Sequence, residues 1–409
     1  MNQMFLLSAD LKSTDKAQMP NDHAPPLVYM IAGEPSGDVL GGRLMEALSE
    51  ATGGQIRFSG VGGPEMTDQG LDSLFPMSDL SVMGIAEVLP KIPHLLRRIS
   101  EVVKEVKACK PDVVITIDAP DFSFRVAKRL KGKGIPLVHY VAPTVWAWRP
   151  GRAAKIAKFL DHLLCLFPFE PAYFEKEGLT ATFVGHSVIE STAVGADGQT
   201  FRAQYGIADD IPLLAVLAGS RVGEVTRHLP VFRDTIEQLY TNFPNLQIVS
   251  VTTGPVAEMV KQEMATWSVP SLIIDKSSEK YAAMAAANVA LAASGTITLE
   301  LAVVGTPSVV AYQVNPITAW IGKRLVKAKF ASLINILLDK EIMPERLIEN
   351  CKAEVLTSEI TQLLTNKTAQ ETQTTAFSKA IAMLSPSPEQ TPSQKSAETI
   401  LNIINRTNT

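Results

Sequence analysis

An aspartate at the tip of an apolar run is the sharpest chemical feature of this 409-residue sequence. PDVVITID (111–118) runs apolar up to Asp118, inside the segment IDAPDF (117–122). A carboxylate at a strand tip facing a cleft suits a general base that takes the proton of a hydroxyl nucleophile. Pro120 forces a turn, and Asp121 is expected to cap the next helix; capping alone is the plain structural alternative for both acids. A second carboxylate lies in AGEPSGD (32–38), which also follows an apolar run and opens a helix. Gly33 and Gly37 allow close backbone approach, and a helix start favours anions. No GxGxxG pattern is present. Glu34 would repel a phosphate there, so it is expected to meet sugar hydroxyls, with Ser36 and Gly37 beside the substrate. Ser36 and Asp38 would serve equally as cap and first-turn residues of an ordinary helix.

Two loops further along suit a phosphate. In AGSRVGEV (218–225), Gly219 and Ser220 open a turn and Arg221 stands at its mouth as a charge clamp, unless it only pairs with Glu224 along a helix. In ASGTITLE (293–300), the amides of Gly295, Thr296 and Ile297 would point at an anion, assisted by the hydroxyls of Ser294 and Thr296. Glu300, one turn on, is placed for ribose hydroxyls. HYVAPTVWAWRPGR (139–152) sets two tryptophans beside Arg149 and Arg152, a combination suited to a sugar face or a phosphorylated amphiphile, or to a buried aromatic packing site.

The elements that must position these groups alternate along the chain. Strands are expected at 27–33, 111–118, 135–141, 162–167 and 180–186, with helices at about 35–50, 95–110 and 121–134. Residues 189–200 lose the apolar pattern and read as a linker. Strands at 211–220, 246–253, 271–276 and 289–294 then resume, with a helix over 221–243. Strand–helix alternation implies parallel sheets with right-handed crossovers. The expected class is α/β, two Rossmann-like domains whose parallel sheets face a central cleft. The expected division is a disordered extension at 1–25, a first domain at 26–188, a second at 189–384, and a Pro/Ser-rich loop with a short helix (397–406) at 385–409, the helix crossing back onto the first domain.

Composition narrows the class. Hydrophobic residues make up 46% and charged residues 20%, as in a folded globular protein. A net charge of −4 speaks against a general nucleic-acid binder. The three cysteines and six histidines show no ligand spacing, so neither metal nor cofactor is expected. No apolar run reaches the roughly 20 residues of a spanning helix. Leu301 to Leu338 nevertheless lacks acids and carries Lys323, Arg324, Lys327 and Lys329 among Trp320, Ile321, Leu325, Val326 and Phe330. That stretch, with the basic helix over 91–110, suits an anionic membrane surface, or two amphipathic helices packed on a sheet.

These motifs, with GVGGPEM (60–66), SVMGIAEVLP (81–90), FPFE (167–170) and FVGH (183–186), occur in an order that closely resembles the lipid-A-disaccharide synthase family, from about Leu27 to about Ile342. The resemblance implies a metal-independent, inverting glycosyltransferase of the GT-B type, cytoplasmic and peripheral to the inner membrane. Its substrates would be UDP-2,3-diacylglucosamine and 2,3-diacylglucosamine 1-phosphate (lipid X), and its products a β(1→6) disaccharide phosphate and UDP. It implies Asp118 as the essential aspartate, Arg221 as the donor-phosphate arginine, Glu34 as the motif glutamate and Asn335 as the asparagine of a SLPNLL motif; a homodimer is left open. Ala218, SLINIL and Ile348 depart from the family's proline, SLPNLL and glutamine, and the N-terminal extension is atypical. Two rivals stay in view: a UDP-sugar 2-epimerase-like enzyme on a similar two-domain scaffold and, from the departures at Ile334, Ile336 and Ile348, a silent lipid-binding homologue.

Overall fold

A computed structural model of the chain describes residues 24–80, 85–148, 151–252, 254–315 and 329–407. The first sheet contains β1 (Leu27–Ala32), β2 (Arg57–Val61), β3 (Val113–Ile117), β4 (Leu137–Tyr140), β5 (His162–Cys165) and β6 (Thr180–Phe183) in the order β2-β1-β3-β4-β5-β6. All its pairings are parallel. The second contains β7 (Leu213–Leu217), β8 (Gln247–Val251), β9 (Ser271–Ile274), β10 (Val289–Ala292), β11 (Ser308–Tyr312) and β12 (Glu345–Leu347) in the order β12-β11-β10-β7-β8-β9, again all parallel. The central strands are continuous apolar runs because helices cover both faces; every residue of β1, β3, β7 and β10 is buried.

In each sheet the strand order reverses beside the first strand: between β1 and β3, and between β7 and β10. The loops leaving the two strands at such a point diverge to opposite faces and open a crevice at their carboxyl ends, where doubly wound folds bind ligands. AGEPSGD and IDAPDF flank the first crevice. AGSRVGEV and ASGTITLE flank the second.

α1 (Pro35–Ala51) covers one face of the first sheet, α3 (Ile85–Cys109) and α4 (Pro120–Leu130) the other. The short α2 (Pro64–Asp68) packs beside α1. One apolar cluster continues from the α1 side into the second sheet through Val188, Phe201 and Leu213. The chain leaves the first domain after β6 and returns at its end. The helix Pro392–Thr407 lies against α1. Outgoing and returning segments touch: the His186 N–H donates to the Leu384 carbonyl at 3.0 Å and the Ser393 N–H to Glu190 Oε1 at 3.0 Å. At Gly185, with φ +89°, a Cβ would stand 2.7 Å from the Leu384 oxygen, so only glycine fits.

Several boundaries differ from expectation. The final helix begins at Pro392 rather than 397, since proline suits a first helical turn. The stretch read as a linker contains a helical turn, Ser187–Glu190, and the start of a helix, Gly198–Tyr205, capped by Asp197. Trp320, Lys323, Arg324 and Lys327 of the expected membrane stretch, and Arg149, lie outside the described residues.

Candidate active site

The first crevice is built on strained backbone. Asp118 and Ala119 both take left-handed φ, +50° and +43°, and Val141 at the end of β4 takes +81°. Such conformations cost roughly 1–3 kcal/mol each for residues with a Cβ and persist where surrounding structure imposes them. Here the Asp118 N–H donates to the Tyr140 carbonyl at 3.0 Å, and Ser123 Oγ donates to the Asp118 carbonyl at 2.8 Å. The sharp turn ends β3 and starts α4 within two residues. Gly33 lets the neighbouring turn close on it, because a Cβ there would lie 2.7 Å from Ala119 Cβ. Glu34 and Asp118 are thereby held at one crevice. Burial raises the Asp118 carboxyl above the usual range, opposed by the Ala119 N–H. Burial also raises that of Glu34, reinforced by the Asp118 charge and opposed by Arg221 of the second domain. Glu34 therefore senses both Asp118 beside it and Arg221 across the cleft.

The other residues of AGEPSGD are scaffolding. Glu34, not Ser36, occupies the cap position of α1, with Pro35 following; Ser36 is exposed in the first turn. Gly37 is buried, where a Cβ would press on the Ile117 carbonyl at 3.3 Å, so glycine lets α1 pack closely on β3. Asp38 accepts from the amides of Gly63, Glu65 and Met66 at 2.7, 3.0 and 3.1 Å. It thus caps α2 and ties GVGGPEM to the crevice wall. Asp121 lies exposed in the first turn of α4 and makes no cap bond, since Ala119 is the cap.

The second crevice is a preformed cavity of about 410 Å³, within the usual range for small-molecule sites. Gly219, Ser220, Arg221, Ser294, Gly295, Thr296 and Glu300 all line it. Gly219 and Gly295 adopt φ +115° and +143°. Two helices, Val222–Asn242 and Ile297–Val304, begin at its wall, and the first amides of a helix have no partner within it. Arg221 is largely exposed and holds Glu224 at 3.1 Å, so the helical pair exists alongside its place at the cavity mouth. Glu300 is met by Lys280 at 2.6 Å. Ser294 Oγ donates to the Ala331 carbonyl at 2.8 Å, so that proton is unavailable to an anion and the hydroxyl instead anchors the 329–332 segment.

Asn335, expected at the donor, is held by the turn that follows it. It is fully buried, and its amide makes four bonds: donating to the Met343 carbonyl and Glu345 Oε1 at 2.8 and 2.7 Å, accepting from Ile342 and Met343 N–H at 2.8 and 3.0 Å. A side chain with every donor and acceptor satisfied internally has nothing left for a donor sugar, so Asn335 pins the Ile342–Glu345 turn. Ile348, in left-handed φ at +54°, does not line the cavity.

His228 is a positioning residue that pattern alone does not reveal. Buried, it bonds through Nδ1 to the Ala218 carbonyl at 2.7 Å and accepts the Gln313 N–H at Nε2, 3.0 Å. Burial holds its pKa below the ordinary imidazole range, and a ring that accepts at Nε2 is neutral. It fixes the start of the Arg221 loop against β11. The HYVAPTVWAWRPGR motif divides. Trp146 stacks edge-on with Phe169, ring centres 5.4 Å apart, in an apolar hollow shared with Phe330 and Ile336 of the second domain, while Arg152 faces elsewhere.

The model of the lipid-A-disaccharide synthetase family matches residues 28–400. This chain belongs to the lipid-A-disaccharide synthase family. A relative of that name from Rhodospirillum centenum is 49% identical over 93% of this chain and 96% of its own, and one from Paramagnetospirillum magneticum is 45% identical over 92% and 97%. Among solved structures, the chain is similar to MurG of Acinetobacter baumannii (TM-score 0.55, 16% identity, covering 93% of this chain and 100% of that one). It is also similar to a UDP-GlcNAc 2-epimerase of Neisseria meningitidis bound to UDP-GlcNAc (TM-score 0.59, 13% identity, covering 93% and 99%). These distant structures share the GT-B fold. The chain is a glycosyltransferase of the family its sequence matches, which sets the epimerase-like rival aside.

Proposed function

We propose that this glycosyltransferase joins UDP-2,3-diacylglucosamine to 2,3-diacylglucosamine 1-phosphate, with the first domain (26–188) taking the acceptor and the second (189–384) the donor. The observation that carries this is the pairing of unlike crevices. A raised carboxyl at Asp118 stands at the crevice of Glu34, whose carboxyl feels the charge of Arg221 at the mouth of a cavity of glycine amides and helix starts. In this reading the UDP diphosphate lies against the Gly295–Ile297 amides and Arg221. Asp118 takes the proton of the acceptor 6-hydroxyl as its oxygen attacks the anomeric carbon. The bond from that carbon to the diphosphate oxygen breaks, the configuration inverts, and UDP leaves, its charge met by fixed dipoles and a guanidinium rather than a metal. Glu34 orients the acceptor hydroxyls.

Diacylated substrates keep their chains in a bilayer, so we place the enzyme peripherally at the cytoplasmic face of the inner membrane. The acid-free stretch 301–338 and the basic face of α3 support that placement; no helix of the described residues is long and apolar enough to cross a membrane. The test is incubation of both substrates with excess chelator present, followed by mass detection of the disaccharide phosphate and UDP. Absence of the disaccharide overturns the reaction. Its formation only after magnesium or manganese is restored overturns the metal-free mechanism.

A further inference from the structure

We propose that a basic groove on the outer face of the first domain, apart from both crevices, is the subsite for the acceptor's phosphate. The cavity, of about 1110 Å³, lies between α3, α4 and α6 (Gly151–Ile156). Arg125, Lys128, Arg129, Arg152 and Lys155 line it against one acid, Asp121. Among the described residues none of these five cations forms an ion pair with a carboxylate. In a protein of net charge −4, that concentration of unneutralised charge repels itself, a cost that a bound anion would offset.

The floor is aromatic. Phe124 and Phe159 meet edge-on at 5.4 Å; the Arg152 guanidinium carbon lies 5.7 Å from the first ring centre and Lys128 Nζ 5.1 Å from the second. Cations held over rings are steadied in place while their donors stay open to a phosphate. Arg129 is steadied by donating to Ser100 Oγ at 2.9 Å.

Position assigns the phosphate to the acceptor. The groove begins at Pro120 and Asp121, directly after Asp118, and follows Asp121, Arg125 and Lys128 along one face of α4. The donor's diphosphate has its own cavity in the other domain. An acceptor whose reacting hydroxyl stands at Asp118 extends its far, phosphorylated end toward α4. Leu96, on the groove's rim, and Ile92 are among the exposed large apolar residues, a surface for its acyl chains.

The inference rests on the reaction proposed above, and the experiment separates the two. Lys128→Glu with Lys155→Glu alters exposed side chains, and Lys128→Arg with Lys155→Arg is the conservative control. KM is measured for the acceptor with its anomeric phosphate and for the same sugar with a free anomeric hydroxyl. The charge-reversed protein is expected to raise KM at least tenfold for the phosphorylated acceptor, much less for the other, with the arginine variant near wild type. An equal rise for both acceptors, or none, overturns the proposal. So does loss of binding to phosphatidylglycerol vesicles without any change in KM for detergent-dispersed acceptor, which would make the groove a headgroup dock. Calorimetric binding of lipid X to the same proteins keeps the failures apart. No turnover with variant-sensitive lipid X binding sinks the reaction and keeps the groove; turnover with variant-insensitive binding does the reverse.

Discussion

The two crevices solve the same topological problem with opposite chemistry. Beside β7 and β10 the backbone turns on glycine, Gly219 and Gly295, and the wall presents amides and helix starts to an open cavity. Beside β1 and β3 the equivalent turn is made by Asp118 and Ala119, which keep their side chains in left-handed backbone. Glycine suits a loop that a ligand's phosphates must approach closely. Strain suits a loop whose side chain must be held at one place. In the proposed reaction the donor side would bind with its backbone and the acceptor side would act with its carboxylates.

If that contrast is right, the largest effect belongs to Asp118→Asn. Turnover should fall roughly 10²–10⁴-fold, the usual worth of a general base. Stability should not fall. Burial raises the carboxyl, so the folded state holds a proton that the unfolded chain has already lost, and ionised Asp118 opposes folding at neutral pH. The melting temperature of the variant should match or exceed wild type at pH 8, the difference narrowing as pH drops through the raised pKa. The wild-type rate should decline on the acid side at a pH above the ordinary aspartate range. Near-normal turnover in a folded Asp118→Asn protein would erase the contrast.

Arg221→Ala tests the other side. A charge-assisted phosphate contact is worth about 1.5–3 kcal/mol, or about 10–150-fold in kcat/KM for the UDP-sugar. Lipid X binding should barely change. Equal losses for both substrates would place Arg221 outside the donor cavity.

Asn335→Ala sharpens what counts as donor machinery. Four hydrogen bonds, two of them fully buried, are lost, so a loss of about 2–4 kcal/mol in denaturant unfolding is expected. Any activity of the folded fraction should keep a donor KM near wild type. A large rise in donor KM without loss of stability would return Asn335 to the substrate.

The smallest effect concerns Glu170 of FPFE, after β5 on the acceptor side. Its buried carboxyl accepts from Leu166 and Phe167 N–H, both at 3.0 Å, yet burial pushes its pKa up to about 7. Ionising it costs stability as pH rises from the ordinary glutamate range to about 7. Glu170→Gln should melt like wild type near pH 5 and a few degrees higher at pH 8. Identical melting at both values would mean that the carboxyl is relieved by contacts not seen here.

Much of this was legible in the sequence. Largely apolar runs marked the central strands of both sheets, since strands covered on both faces admit a polar residue only where it finds a partner, as Thr116 does with His139. The loops after β1, β3, β7 and β10 stood out because glycine, proline and acids interrupt those runs. What stayed hidden acts at long range. Asp38 caps an amide cluster from 25 residues away, and the buried imidazole of His228 bridges to a backbone N–H 85 residues on. Asn335 was named through the resemblance of SLINIL to a family motif, whereas the four bonds of its amide appear only in the packed turn. The basic groove is assembled from α4 and α6, with one arginine of HYVAPTVWAWRPGR, so no single stretch displays it.

The returning C-terminal helix has a mechanical consequence. A domain joined by one strand of chain can swivel about any axis, like a ball on a string. Here the outgoing segment at 184–191 and the returning one at 384–393 cross side by side and are bonded to each other. Two crossings bonded to each other restrict how one domain can turn against the other more than a single strand of chain would. Removing the last helix would take away one crossing and bare the face of α1 that it covers, so the wall of the first crevice would lose its support along with the link.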